Sequence, residues 1–485
     1  MSEGVAKGFG EKPRPKKEER RKFQAIKGTR DLLPPETASW NRVEQTAHEV
    51  FTSYGFGEIR LPVIETLGLF ARSLGTETDI VGKEMFLLAG QEPSVVVPPG
   101  RFAPPPQSEQ ARRDDVQRVS SEPSMRESVE PQIEESVLAL RPEATASVCR
   151  AYIEHNMNQL PQPVKLYYMG PMFRRERPQK GRYRQFYQIG AEVLGGSNAP
   201  GIDAELIEMV MTFFERLRLE GVRLHINSIG DKNCRPNYVE LLREELRKVK
   251  DKLGPDSQRR IETNPLRVLD SKLESEQGII EKLPRIAQHL CDACREDYDE
   301  MKRQLALRGV GYSQNFRLVR GLDYYMRTTF EITAKGLGSQ NAVCGGGRYD
   351  GLVEMLGGPP TKGIGFAIGE DRLILSLQEE EKTPAPQGRD VYIAWMGEKA
   401  YTTAIRAAKS LRAAGLSVEL PPVEQKFGKA LGQADKLGAR YALILGDNEV
   451  ESDEWTLKTL ATGEQAKFTE AALLEFLRAQ RTRSP

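Results

Sequence analysis

Apolar residues first recur at helical spacing just after Pro34 and Pro35. Trp40, Val43, Ala47, Val50, Phe51 and Tyr54 form one stripe, and Gly55 ends it. The next stretch, GEIRLPVIE at 57–65, reads as a strand. Pro62 inside it has no N–H to give a ladder, which predicts an edge or irregular strand. An edge strand beside a long apolar helix is a place where a second subunit can pair. Further on, FYQIGAEVL alternates: Tyr187, Ile189, Ala191 and Val193 point one way, and Phe186, Gln188, Gly190, Glu192 and Leu194 the other.

Two regions break the pattern. From Ala89 to Ser136 eight prolines (93, 98, 99, 104, 105, 106, 123, 131) sit among Ser, Gln, Glu and Arg. That composition cannot build a core and predicts a flexible insertion at 89–136. Its flanks, MFLLA and SVLALR, read as two strands of one hairpin. Residues 230–312 are instead helical and charge-rich, as in NYVELLREELRKVKDKLG, and predict an inserted helical domain. Strand- and Gly-rich sequence resumes over 313–380. A Pro- and charge-rich linker at 379–390 leads to alternating strands and helices (VYIAWM, TTAIRAAKSLRAAG, YALILG), the pattern of a small α/β domain over 388–485. No fixed-period repeat runs through the chain.

Composition narrows the class. At 485 residues, 39% hydrophobic and 29% charged, the chain suits a soluble protein of several domains. No apolar run nears the roughly 18 residues of a membrane span. The N-terminus lacks the apolar segment of a secretory signal, which predicts cytoplasmic residence. The first thirty residues hold ten Lys or Arg and four Glu, and 1–22 reads as a disordered basic tail. Five cysteines do not make a disulfide framework. The CxxC at Cys291 and Cys294 has only His289 close by and no second CxxC, so reduced thiols on a helix are expected and no side chain is assigned to a metal.

Net charge is only +1, yet FRRERPQKGRYR packs Arg174, Arg175, Arg177, Lys180, Arg182 and Arg184 against the single acid Glu176. Guanidinium forks suit phosphate oxygens. On the strand that follows, Gln188 and Glu192 share a face, their Cα atoms about 13 Å apart with a glycine between. This predicts a hollow with an amide at one end and a carboxylate at the other, fit for a small polar ligand beside a phosphate site. In LRPEATAS, Pro142 suits the first turn of a helix and places Glu143 within that turn. RGLDYY gathers Arg320, Asp323, Tyr324 and Tyr325 on a non-periodic segment that suits a pocket wall. AVCGGGRYDGLVEMLGG and GIGFAIGEDRL are Gly-dense ahead of a helix, with no GxxxxGK[ST] phosphate loop.

Together these stretches resemble the class II aminoacyl-tRNA synthetases, specifically the histidyl-tRNA synthetase family. The order is the family's: IKGTRDLLPPE, the helix and strand to Pro62 as motif 1, and LRPEATA. Then follow FRRERPQKGRYRQFYQIGAEV as motif 2, RGLDYY as the histidine-specific segment, and GIGFAIGEDRL as motif 3. The resemblance implies an α+β fold. An antiparallel-sheet catalytic domain (23–229 and 313–380) would carry the helical insertion at 230–312, and a C-terminal α/β anticodon-binding domain would follow over 388–485. It implies a homodimer through motif 1, with ATP, Mg²⁺, L-histidine and tRNA(His) as cofactors and partners.

The same resemblance implies residue roles. Arg174 grips the α-phosphate, Glu176 and Phe186 hold the adenine, and Arg182 and Arg372 hold the outgoing phosphates. Glu143, Thr145 and Gln188 recognise the α-amino group. Glu192 and Tyr325 bind the imidazole nitrogens, with Tyr324 and Tyr349 in the pocket, and Arg320 bridges substrate carboxylate and α-phosphate. Motif 3 has Asp371 where Glu is usual in the family, and Ala144 stands in place of Gly. A histidine-sensing regulatory subunit of ATP phosphoribosyltransferase would keep the pocket. It would need neither the tRNA domain nor the full arginine set, whereas Arg174, Arg320 and Arg372 are all present here. A synthetase-derived sensor would carry an effector such as a kinase, and no HRD or DFG segment occurs.

Overall fold

The computed structural model describes residues 23–75, 78, 80–88, 137–197, 199–319, 324–335, 341–380 and 388–482. The tail at 1–22, the insertion at 89–136, and Arg320 and Asp323 lie outside the described residues. The chain divides into two units: one comprises the residues up to Leu32 with Arg42–Lys382, the other Leu33–Asn41 with Thr383–Pro485.

The strands of the first unit are β1 (Gly57–Glu58), β2 (Ile64–Thr66), β3 (Leu138–Leu140), β4 (Val164–Phe173), β5 (Gln185–Leu194), β6 (Arg223–Ser228), β7 (Ser313–Gln314), β8 (Met326–Thr333), β9 (Ala342–Arg348) and β10 (Gly363–Gly369). Eight of them form one sheet in the order β1-β4-β5-β10-β9-β8-β6-β7. The six central strands pair antiparallel, and the two short edge strands pair parallel. One face of this sheet is buried. Phe366 of β10 and Tyr167 of β4 meet Phe51 of the first helix, whose ring also packs on Phe213 of the helix Pro200–Arg216. Phe51 of the apolar stripe thus packs on the back of the sheet, and the other face is left for a site.

The stretch 57–65 is not one strand. It splits into β1 at the sheet edge and β2, which pairs with β3. Pro62 falls in the gap. There the buried Arg141 guanidinium donates to the carbonyls of Leu61 (2.9 Å), Pro62 (3.1 Å) and Pro171 (3.0 Å), taking the place of a ladder. The flanks of the insertion do pair, Leu87 bridging antiparallel to Ala139.

The segment 230–312 is helical, with helices Arg235–Lys248, Pro255–Thr263, Glu274–Ile280 and Asp292–Leu307. Its buried Tyr238, Leu242, Ile261 and Leu290 join the same apolar cluster as Tyr168, Tyr324 and Tyr349 of the sheet unit.

The second unit contains β11 (Val391–Met396), β12 (Val418–Glu419), β13 (Tyr441–Gly446), β14 (Trp455–Thr459) and β15 (Gln465–Phe468). They form a sheet in the order β12-β11-β13-β14-β15. β11 pairs parallel with β12 and β13, and the rest is antiparallel. β11 is buried on both faces. Ile393 packs with Ala404 and Leu411 of the helix Glu398–Ala413, while Tyr392 and Ala394 meet Ala430 and Ala434 of the helix Phe427–Lys436. Burial on both sides explains why VYIAWM is continuously apolar.

Candidate functional site

The open face of the large sheet is floored by small residues in register. On β5, Glu192, Gly190 and Gln188 stand opposite Gly365, Ala367 and Gly369 of β10. Gly365 and Ala367 in turn face Gly347 and Gly345 of β9, and these face Thr329 and Glu331 of β8. The glycine density therefore has a sheet origin. Two missing Cβ atoms admit larger neighbours: one on Gly365 would lie 1.6 Å from the Glu192 carboxylate, and one on Gly363 would lie 2.3 Å from the Tyr349 ring. Over this floor lies a cavity of about 280 Å³.

Ten of the sequence-predicted residues line it: Glu143, Thr145, Arg174, Glu176, Arg182, Phe186, Gln188, Tyr324, Tyr325 and Arg372. Glu192 and Tyr349 sit just beneath. Tyr349 donates its hydroxyl to Glu192 Oε2 (2.5 Å), and Thr145 donates to Oε1 (2.7 Å). The hollow expected over Gly190 is filled instead by the Tyr168 ring, whose hydroxyl would lie 2.3 Å from a Cβ at that position. Glu143 also departs from expectation. The helix begins at Thr145, and Glu143 stands before it and accepts from the backbone N–H groups of Thr145 (2.7 Å) and Ala146 (3.0 Å). Those first amides have no intrahelical partners, so a carboxylate ahead of the first turn meets them better than one inside it.

The two ends of the cavity differ in charge. At the acid and phenol end, burial pushes the Glu143 carboxyl up, opposed by its backbone bonds and by Arg174. Burial also pushes Glu192 up to about 8, against the bonds from Tyr349 and Thr145. The side-chain oxygen of Gln188, on the cavity wall, is buried with no hydrogen-bond partner among the described residues, a donor-seeking atom. At the other end stand Arg174, Arg182 and Arg372. Arg174 lies over the Phe186 ring at 5.2 Å and donates to the Pro142 carbonyl (3.0 Å). Glu176 faces Arg174 (3.8 Å) and Arg182 (3.1 Å). Burial and then the Arg182 charge depress the Arg372 pKa, opposed by Glu331 and Glu176.

The six cations of the β4–β5 loop thus sort by position. Arg174 and Arg182 line the cavity, while Arg175, Arg177 and Lys180 are exposed, Lys180 pairing with Glu379. Arg184 turns to the N-terminal segment and donates to the Lys27 carbonyl. Asp371 is a tether: its carboxylate accepts from Tyr187 N–H (2.9 Å) and Arg30 (3.1 Å). Sequence reasoning missed Tyr168 and Glu331, which both line the cavity. The alternation along β4 carries the signal for Tyr168, which stands opposite Gly190. Glu331 is on the site face of β8, opposite Gly345.

Residues 116–373 match a family model described as histidyl-tRNA synthetase, and 390–480 match an anticodon binding domain. A histidine–tRNA ligase of Koribacter versatilis is 49% identical over 94% of this chain and 96% of its own length. One from Solibacter usitatus is also 49% identical, over 92% of this chain and 97% of its own. The apo crystal structure of Staphylococcus aureus histidyl-tRNA synthetase superposes with a TM-score of 0.71 at 33% identity, covering 94% of this chain and all of that one.

Proposed function

The chain belongs to the histidyl-tRNA synthetase family, and on that premise we propose how its sheet-face cavity carries out the reaction of a histidine–tRNA ligase. The observation that carries the reading is the polarity of one cavity: carboxyls and phenols at one end, three arginines at the other, over a floor of glycine.

Histidine binds at the acid and phenol end. Glu143, Thr145 and Gln188 take its ammonium, the Gln188 oxygen, unpartnered among the described residues, accepting one N–H. Imidazole offers a donor and an acceptor face, which Glu192 and Tyr325 match, with Tyr324 and Tyr349 walling the ring. Because Glu192 already accepts from Tyr349 and Thr145, its free lone pairs are few and directed, which favours a ring N–H over a solvent shell. A site that hydrogen-bonds a side chain rejects analogues lacking those groups by large factors. ATP lies towards the arginines, its adenine between Phe186 and Glu176.

In the first step a histidine carboxylate oxygen bonds to the α-phosphorus, the α–β bridging bond breaks, and diphosphate leaves. Two anions must meet, so Arg174 and Arg320 neutralise charge on the α-phosphate and substrate carboxylate, while Arg182 and Arg372 receive the diphosphate. Mg²⁺ bound with the phosphates would add to that neutralisation, and Glu331, a carboxylate among the cavity's arginines, fits the one or two acidic ligands such an ion takes. A tRNA(His) hydroxyl then attacks the histidyl carbonyl and AMP departs. The anticodon domain matched at 390–480 is what a histidine-sensing regulatory subunit would lack.

Homodimer formation and cytoplasmic residence belong to the same proposal. Ile64 of β2, Leu138 of β3 and the neighbouring Leu87 are 43–48% exposed, an apolar strip that a second copy would cover. The described residues include no helix long and apolar enough to cross a membrane.

Purified protein given ATP, Mg²⁺ and histidine is expected to exchange labelled diphosphate into ATP. Exchange indifferent to histidine in folded protein would overturn the reading.

A further inference from the structure

The half-site that the lone CxxC lacks in sequence is supplied by the fold. Asp231 and Cys234, immediately after β6, meet Cys291 and Cys294 at the start of the helix Asp292–Leu307, and their four ligand atoms all lie within 4.8 Å of one another. Asp231 and Cys294 are 3% and 1% exposed. Asp231 Oδ1 is 3.7 Å from Cys234 Sγ and 3.9 Å from Cys291 Sγ. Gly230 at φ +64° makes the turn that sets Cys234, and a Cβ there would meet its sulfur at 2.7 Å. His289 is engaged elsewhere, its ring packed at 5.8 Å from Tyr238.

We propose that Asp231, Cys234, Cys291 and Cys294 form a tetrahedral zinc site that staples the start of the helical segment to the start of its last helix. Soft thiolates in an S₃O set select zinc over hard cations. Zn–S bonds of about 2.3 Å give tetrahedral edges of about 3.8 Å, so a cluster of this span closes on the ion with shifts of under about 1 Å. Cys234 lies just before the helix Arg235–Lys248, Cys291 just before the helix Asp292–Leu307, and Cys294 in that helix's first turn. Arg327 holds the second Asp231 oxygen at 3.4 Å, the outer support expected of a ligating carboxylate. Next to Cys234, Arg235 donates to the Tyr325 carbonyl (2.7 Å), so the staple also steadies the main chain of the proposed histidine pocket. The metal role is structural: four protein ligands leave no open position for chemistry.

The test measures metal in full-length, untagged protein purified without chelator. About one zinc per chain is expected, falling to near zero in Cys291→Ser/Cys294→Ser. Stripping zinc with a strong chelator is expected to lower Tm by at least about 5 °C, and adding zinc back should restore it. If the double variant does not fold, wild-type protein reconstituted with Co²⁺ decides. A thiolate-to-cobalt charge-transfer band with intense tetrahedral visible bands supports the site, and weakening of those bands in Asp231→Asn places the carboxylate in it. Protein with far less than stoichiometric zinc and no cobalt charge-transfer band would overturn the proposal. So would metal retained by a folded double variant, or a Cys291–Cys294 disulfide in freshly prepared protein.

Discussion

Glu192 shows how much a single residue is asked to do. It is 1% exposed, bonded to two hydroxyls, and pushed up to about 8 by burial. In the unfolded chain its pKa falls back to about 4.3. Between those values the folded protein holds a proton that the unfolded chain has released, so stability falls as pH rises from about 4.5 to 8. Glu192→Gln keeps the shape and the acceptor but cannot ionise. Urea melts are therefore expected to show the variant gaining on wild type, by about 2–4 kcal/mol between pH 5 and pH 9. Histidine-dependent exchange is expected to fall at least about 100-fold, because one of the two oxygens that serve Tyr349, Thr145 and the ring becomes an amide donor. Parallel pH profiles would show that Glu192 is not the titrating group. The alternation of β5 was enough to place Gln188 and Glu192 on the site face. What occupies the space above Gly190 was not legible, because Tyr168 arrives from the neighbouring strand and register between strands is a tertiary choice.

At the scale of elements, the insertion offers the sharpest expectation. Its flanks are already hydrogen-bonded, Leu88 N–H to the Leu138 carbonyl (3.0 Å) and Leu140 N–H to the Phe86 carbonyl (2.9 Å). Eight prolines and few large apolar residues give 89–136 nothing with which to extend that ladder. Replacing 89–136 by a short turn is expected to change Tm by less than about 2 °C, since closing a shorter loop costs little or slightly stabilises. A loss of more than about 5 °C in a thermal melt would mean that the segment packs on the rest. Local signals read some elements: Gly55 marked the end of the first helix, whereas 57–65, read as one strand, splits into β1 and β2 around Pro62. They failed where the partner is distant in sequence. Glu143 looked like a residue of a first helical turn and is instead the cap ahead of it. Gly363 and Gly365 of β10 are explained only by the Tyr349 and Glu192 side chains lying on them. The missing half of the CxxC was Asp231 and Cys234, which no spacing rule pairs across the intervening helices.

For the whole molecule, the apolar pattern differs in kind between the two sheets. Alternating strands with one face open give way to continuous runs such as YALILG, buried on both sides. Two units with separate apolar cores are expected to melt as two cooperative steps in calorimetry. Every residue that lines the cavity belongs to the first unit, so small ligands act on one step alone. At a hundredfold excess over Kd a ligand that binds only the folded state stabilises it by about 2.7 kcal/mol. For a unit of several hundred residues that is a rise of roughly 3–8 °C. L-Histidine with a non-hydrolysable ATP analogue is therefore expected to raise the transition of the sheet unit by that amount and to leave the C-terminal unit within about 1 °C of its free value. The two steps can be assigned through Trp395 and Trp455, both buried in the second unit, as fluorescent reporters. If both steps rise together, or if a single step persists with and without ligand, the units share their stability and occupancy of the cavity is felt in the anticodon domain.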